Sequence, residues 1–172
     1  MKKFKKLADQ YRHRIYTFAF YSLGEKEEAE DATQDVLIRL WKHYKELNET
    51  LLPAWIVRVT RNACIDRMRK RRSYSMRVVG CPDDEFFEGT STAPGPEALM
   101  ETTELRSQIQ IALTRIQEPY RSVVILREIQ DMKYEEIATV VDLPLNTVKS
   151  YIHRGRKMLR EELREFVNHD AN

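Results

Sequence analysis

The chain has little glycine and little proline, 5 and 6 of its 172 residues. A sandwich of short strands needs many tight turns, so this composition argues against one. Cysteine is also scarce. Cys64 and Cys81 are the whole supply; they form no C-x-x-C pair and no disulfide framework, which points to a reducing cytoplasm. Cys64 reads as a small core residue and Cys81 as a loop residue. No apolar run approaches the roughly 18 residues that a membrane span needs, so no membrane insertion is expected. The basic start, MKKFKKLADQYRHR, is followed by no apolar signal-peptide segment. His13, His43, His153 and His169 are scattered without metal-ligand spacing, and no glycine-rich phosphate loop appears. No metal, no cofactor and no enzymatic activity are therefore expected. Asp83, Asp84 and Glu85 cluster in a turn-rich stretch that would hold no catalytic geometry.

Net charge is small, with 29 basic against 27 acidic residues, but it is unevenly spread. Residues 1–72 carry 17 Lys and Arg against 10 Asp and Glu. Residues 73–104 carry one Arg and seven acids, and residues 105–172 carry 11 basic and 10 acidic residues. A basic part, an acidic middle and a nearly neutral last part predict two units, 1–72 and 97–172, joined by a connector at 73–96. The connector holds GCPDDEFFEGTSTAPGPE, which has no helical period. An ordinary surface loop within one domain is the other reading, and its length weighs against that.

What is present is helical periodicity. Phe4, Leu7, Tyr11, Ile15 and Phe18 step by three or four along a first helix ending at Gly24. Ala29, Thr33, Val36, Leu37, Leu40 and Tyr44 give a second, at about 25–45. Trp55, Ile56, Val59, Ala63 and Met68 give a third, opening after Pro53. Leu105, Ile109, Ala112, Leu113 and Ile116 give a fourth. Pro119 suits the first turn of a fifth, which carries Val123, Val124, Leu126 and Ile129. Two more follow, Tyr134–Val141 and about Leu145–Phe166. No segment has the period of a strand. The expectation is an all-α fold of two small helical domains.

The last two helices carry the most specific signal. They are separated by Asp142-Leu143-Pro144, the spacing of a helix-turn-helix. Ile137, Ala138 and Val141 are expected to pack on Val148 and Ile152. That leaves Asn146, Thr147, Lys149, Ser150, His153, Arg154 and Lys157 on other faces, a mixture of base-reading groups and phosphate-binding cations. An αα-hairpin with a solvated charged face is the alternative. Lys and Arg with no intervening acid from Lys149 to Arg160 count against it.

Two further surfaces stand out. Arg58, Arg61, Arg67, Arg69, Lys70, Arg71 and Arg72 crowd the third helix, with Asn62 and Asp66 one turn apart among them. Such groups can hold exposed base edges while cations follow the backbone; as ordinary helix-surface residues, Asn62 and Asp66 would equally satisfy each other. Trp55 fits the core or a stacking platform. On the second helix, Asp31, Gln34, Asp35, Ile38 and Trp41 share a face opposite the apolar one. An Ile and a Trp flanked by acids read as a protein-binding stripe, or as residues packed on a neighbouring helix.

The blocks AEDATQDVLIRLWKHY (29–44), AWIVRVTRNACIDRMRKRR (54–72) and PYRSVVILREIQDMKYEEIATVVDLPLNTVKSYIHRGRKMLREEL (119–163) resemble, in this order, bacterial sigma factors of the extracytoplasmic-function group. The resemblance implies a region 2 domain at 1–72, a region 4 domain at 97–172, and no third domain between them. It implies core RNA polymerase and promoter DNA as partners, and an anti-sigma factor as another. Asp31, Gln34, Asp35, Ile38 and Trp41 would face the clamp helices of the largest polymerase subunit. Arg58, Arg61, Asn62, Asp66 and Arg69, with the loop at about Tyr44–Pro53, would contact the melted −10 element. The helix from Leu145 would read the −35 element. Family members often carry Arg at the place of Tyr151 and Ala at that of Gly155. A self-sufficient helix-turn-helix regulator with an N-terminal interaction domain is the alternative reading.

Overall fold

A computed structural model describes the backbone of residues 2–79 and 97–170, with side chains described for 2–77 and 103–166. Among these residues all regular structure is helical: α1 (Lys2–Leu23), α2 (Lys26–His43), α3 (Leu52–Val79), α4 (Glu97–Arg115), α5 (Tyr120–Val124), α6 (Tyr134–Val141) and α7 (Leu145–Asp170). A π-helical segment, Ile125–Ile129, continues α5. Pro53 sits in the first turn of α3 rather than ahead of it, and Pro119 caps α5 from one residue outside it. α3 also runs on through 73–79, where the charge pattern begins the connector. The rest of the connector, 80–96, and Cys81 with it, lie outside the described residues.

α1 organises the molecule. One side of it packs on α2 and α3, the other on α4 and the π segment. Its predicted stripe is the one used: Tyr11, Ile15 and Phe18 are buried, with Phe4 and Leu7 packed at the edge. On α2 the predicted apolar face is buried throughout, from Ala29 to Leu40. Tyr11, Ile15, Val36, Leu37 and Leu40, with Leu52, Ile56 and Ala63 of α3, form one core cluster. A second cluster joins Phe18, Ala19, Leu23, Val57 and Cys64 to Leu113, Val123, Val124, Ile125, Leu126, Ile137, Val140, Val148 and Ile152. The two halves of the sequence therefore share a core.

Two predicted core positions differ. Leu105 is exposed: Arg106 beside it lies over Phe20 of α1 at 5.3 Å, and Leu105, about 100° round the helix, faces solvent. Val140 takes the fully inward place expected of Val141, which is half-buried. The run Ser122–Leu126 is buried residue after residue. A helix apolar all round belongs in a core, and the wider π turn carries this run through the centre of the second half.

Two glycines sit at close approaches. Gly24 ends α1 with φ of 80°, a left-handed conformation that costs other residues more, and its backbone N–H donates to Phe20 O at 3.0 Å. Gly155 lies inside α7, where glycine costs about 1 kcal/mol relative to alanine. A Cβ there would stand 2.4 Å from Val124 Cγ2 and 3.2 Å from Tyr120 O. The glycine lets α7 lie directly on α5.

The halves are also joined by polar bonds. Arg121 Nη1 donates to Ser22 O at 3.0 Å and its Nε to Ile116 O at 2.7 Å, while Nη2 reaches Thr114 O and Nη1 also meets Met68 Sδ. Burial holds the Arg121 pKa below the usual arginine value. Arg14 Nε donates to Gln130 Oε1 at 3.1 Å, and Gln130 Nε2 returns a bond to Arg14 O at 2.9 Å. Arg58 Nη2 donates to Thr139 O at 2.7 Å and its Nε to Val140 O at 3.3 Å. Cys64 lies under this seam, and burial pushes its thiol up to about 12.

Two predictions test this packing. Arg121→Met leaves three carbonyls without their donor and should cost about 2–4 kcal/mol in urea unfolding. Arg58→Ala should leave the fold in place but loosen the seam. In a Cys81→Ser background, alkylation of Cys64 should then speed up about fivefold, for bonds contributing about 1 kcal/mol; an unchanged rate would mean the seam does not rest on Arg58. Separately, Gly155→Ala should lower the melting temperature despite its better helix propensity, and Val124→Ala should restore part of the loss in the double variant. Additive losses would show that the two sites are not in contact.

Candidate functional site

The helix-turn-helix is built as its sequence predicts. Glu136 accepts a bond from Lys133 N at 2.8 Å, fixing the start of α6. Asp142 takes φ of 56°, a left-handed conformation that aspartate tolerates, and Leu143 N closes on Ala138 O at 3.2 Å. Pro144 follows, and Val148 N donates to its carbonyl at 3.0 Å as α7 begins. Ile137, Val140, Val148 and Ile152 are buried between the helices.

That packing fixes which side of α7 faces out. Asn146, Lys149, Ser150, His153, Arg154 and Lys157 are all exposed, and Thr147 is half-buried. At about 100° per residue, Asn146, Ser150, His153 and Lys157 fall within about 60° of one another, with Lys149 on one flank and Arg154 on the other. Glu128 engages the nearby Arg156 at 2.5 Å, which leaves the outward cations unneutralised by it. Tyr151 turns inward, its ring edge-on to Tyr120 at 5.2 Å, so it belongs to the packing rather than to this face.

The second set lies on α3. Arg58, Asn62, Asp66 and Arg69 are exposed and fall along one stripe, while Arg61 is half-buried to its side. No hydrogen bond joins Asn62 to Asp66 among the described residues, so neither is occupied by the other. Arg58 is the exception within the stripe, since its guanidinium sits on the last carbonyls of α6. The loop before α3 is pinned at its base. Lys3 Nζ lies 2.9 Å from Glu49 Oε1, and Asn48 Oδ1 accepts from Thr50 N at 3.1 Å.

The third set lies on α2. Asp31, Gln34, Asp35, Ile38 and Trp41 are all exposed. Ile38 keeps 53% of its surface in solvent and Trp41 45%, so both stand off the core. Trp41 is nevertheless held: Phe4 meets it edge-on with ring centroids 4.8 Å apart, and Tyr44 stacks on it at 5.7 Å. Asp35 pairs with Arg67 of α3, which binds the stripe's acid to the adjacent helix. Trp55, by contrast, packs at the edge of the core. Sequence reasoning missed Phe4, Tyr44 and Arg67 as supports, and Arg58, Arg14 and Arg121 as seam residues. These contacts join different helices, and no local spacing announces them. Among the described residues no group of three His, Cys, Asp or Glu side chains could hold a metal ion. No helix among them is long and apolar enough to cross a membrane.

Comparison with known proteins places all three sets in one family. Residues 7–74 match Sigma-70 region 2, and residues 106–159 match Sigma-70, region 4. The ECF RNA polymerase sigma factor SigE of Mycolicibacterium smegmatis is 30% identical over 171 residues; the match spans 99% of this chain and 65% of that protein's length. The ECF RNA polymerase sigma factor SigW of Bacillus subtilis is 31% identical over 94% of this chain and 89% of its own length. Among solved structures, the sigma factor RpoE in complex with the anti-sigma factor NepR from Bartonella quintana superposes with a TM-score of 0.77, at 25% identity, covering 95% of this chain and 98% of that one. The region 2 match ends within α3 and the region 4 match contains the whole helix-turn-helix, so this chain belongs to the ECF RNA polymerase sigma factors.

Proposed function

We propose that this chain binds core RNA polymerase, directs it to promoters and starts transcription from them. Residues 1–72 would act as the region 2 domain and residues 97–172 as the region 4 domain. The observation that carries the reading is the clean outward face of α7, an acid-free surface ready for a major groove, in a chain whose other half matches region 2. A self-sufficient regulator would leave that region 2 match without a role.

Asn146, Ser150 and His153, on the centre line, would meet base edges of the −35 element. Lys149, Arg154 and Lys157 would hold phosphates, with Thr147 at the margin. On α3, Asn62 and Asp66 would hold unpaired bases of the −10 element, and Arg58, Arg61 and Arg69 would follow its backbone. The Ile38 and Trp41 patch on α2, with Asp31, Gln34 and Asp35 around it, would dock on the polymerase. RpoE is held by NepR in the solved complex, which supports an anti-sigma factor as a further partner of this chain. The cytoplasm, where polymerase works, is its proposed location.

The two promoter elements set a demand on the fold. They lie some 25 base pairs apart, about 85 Å at 3.4 Å per step. A compact body of this size has a radius of gyration of about 16 Å. Arg58 cannot stay on α6 while α3 and α7 occupy both elements. The seam must part on the promoter, and the two halves then act as tethered modules at high effective concentration.

Run-off transcription with purified core polymerase and the chain's own upstream region tests the whole reading; no specific transcript would defeat it. Trp41→Ala and Asp35→Arg should each weaken co-purification with core enzyme while leaving helicity intact, the tryptophan by about 2 kcal/mol or more. Trp41→Ala unfolding the protein, with Asp35→Arg binding normally, would make the stripe structural. In a promoter library randomised upstream, Ser150→Ala should relax preference at one position at a cost of about 1–3 kcal/mol. Lys157→Ala should weaken all sequences alike and flatten the salt dependence by about one unit of slope. The reverse pattern would mean that α7 enters the groove differently.

A further inference from the structure

α3 continues well past the residues proposed for the melted element. It is 28 residues long, and the region 2 match stops at residue 74. From Arg67 to Arg77 it carries six cations and no acid. Two of them are neutralised by α2: Arg67 pairs with Asp35 and Arg71 with Glu28. Those two are one turn apart, so they clamp one side of the helix to α2 and fix its rotation. The flank beside that clamp carries Lys70, Ser73, Tyr74 and Arg77, all exposed, and runs round the helix to Arg69. Tyr74 keeps 71% of its surface in solvent.

The fold does not call for this face. Cations near a helix C-terminus favour the macrodipole, but that effect fades within the last turn. Lys70 lies more than two turns before Val79, the end of α3. Protein interfaces favour arginine and tyrosine but are depleted in lysine and serine. Phosphate oxygens, in contrast, take bonds from Lys, Arg, Ser and Tyr alike.

We infer that Lys70, Ser73, Tyr74 and Arg77 form a further nucleic-acid site, which grips the phosphate backbone of duplex DNA just upstream of the melted element. The inference rests on the promoter reading proposed above. Arg77 lies fifteen residues beyond Asn62, about 22 Å along the helix axis, or some six base steps. The chain leaves α3 from this end and goes on to the half that reads the −35 element, so this end points upstream. Gripping phosphates rather than base edges, the face adds affinity that is blind to sequence.

The test uses holoenzyme reconstituted with the full chain and two fork templates. Both carry the melted −10 strand. One ends at its upstream edge, and the other continues upstream as about ten base pairs of arbitrary duplex, one helical turn, too short to reach the −35 element. For Lys70→Ala/Arg77→Ala, affinity for the long template should fall on the order of tenfold and its log–log salt slope should become about two units shallower. Affinity for the short template should stay at the wild-type level. The charge-keeping pair Lys70→Arg/Arg77→Lys should retain binding to the long template. Equal loss on both templates, or loss on neither, overturns the proposal. Loss at holoenzyme assembly also overturns it and assigns the face to a protein partner. Wild-type holoenzyme that binds neither template overturns this proposal together with the promoter reading beneath it. Circular dichroism of each variant confirms that α3 is intact; an unfolded variant is replaced by Arg77→Ala alone, read on the same two templates.

Discussion

Helix C-termini leave carbonyl oxygens without donors, and in this protein arginine side chains supply them. Arg121 satisfies the last carbonyls of α4, at Thr114 and Ile116, and reaches across to Ser22 at the end of α1. Arg71 donates to Leu23 O of the same α1 terminus at 3.5 Å. Arg58 serves the end of α6. A guanidinium is suited to this work because it presents several donors in a fixed plane and stays charged when buried. The carbonyl ends also carry partial negative charge, which favours the cation. Each of these bonds fixes where one helix ends relative to another. The orientation of α4 and α6 against α1 and α3, and with it the seam between the halves, follows from them.

This also explains what could be read from the sequence and what could not. Periodicity is a property of one helix, and it gave α1, α2 and the helix-turn-helix nearly residue by residue. The outward set on α7 followed because Val148 and Ile152 leave only one way to turn the helix. The stripe on α2 followed in the same way from Val36, Leu37 and Leu40. Arg58 was legible as a basic residue on an exposed face, but not as the donor to α6, because its partners are backbone carbonyls about eighty residues away. Any sequence offers such carbonyls. Leu105 kept helical spacing yet faces solvent, while its neighbour Arg106 lies on Phe20 of α1. The extension of α3 was obscured because 73–79, SYSMRVV, breaks off the basic run before it and has no acid or clear apolar period to mark it as helix, and the turn-rich stretch follows directly at Gly80.

The seam is a broad apolar contact, because the larger of the two core clusters spans both halves. One cluster belongs wholly to the first half, to α1, α2 and α3 with Tyr44 just past α2. In the other, the second half contributes Val123 to Leu126, Ile137, Val140, Val148 and Ile152, which pack on one another within the helix-turn-helix and the π segment. Phe18, Ala19, Leu23, Val57 and Cys64, with Tyr21, Ala29 and Ala32, come from the first half. Parting the halves therefore leaves each with apolar packing of its own but uncovers apolar surface on both, which polymerase and promoter binding must offset. The seam is also laced with polar groups. Ser122 Oγ and Glu118 Oε1 are buried there without a protein partner, and such atoms make a closed interface less stable than a fully apolar one would be.

The surfaces proposed for function stand in different relations to that seam. The α2 stripe and the outward face of α7 are exposed while the seam is shut. Polymerase docking on Ile38 and Trp41 therefore needs no rearrangement of the halves. Arg58 alone is both a proposed DNA contact and a seam residue. A DNA backbone that takes Arg58 removes the donor from Thr139 and Val140, so it favours the parted state, and the parted state in turn frees Arg58. Coupling of this kind is reciprocal. Its size is bounded by what the two Arg58 bonds contribute, about 1–3 kcal/mol, or roughly five- to 150-fold in the opening equilibrium. In the proposed mechanism, the step that holds the −10 strand and the step that releases the −35 reader are linked through one side chain.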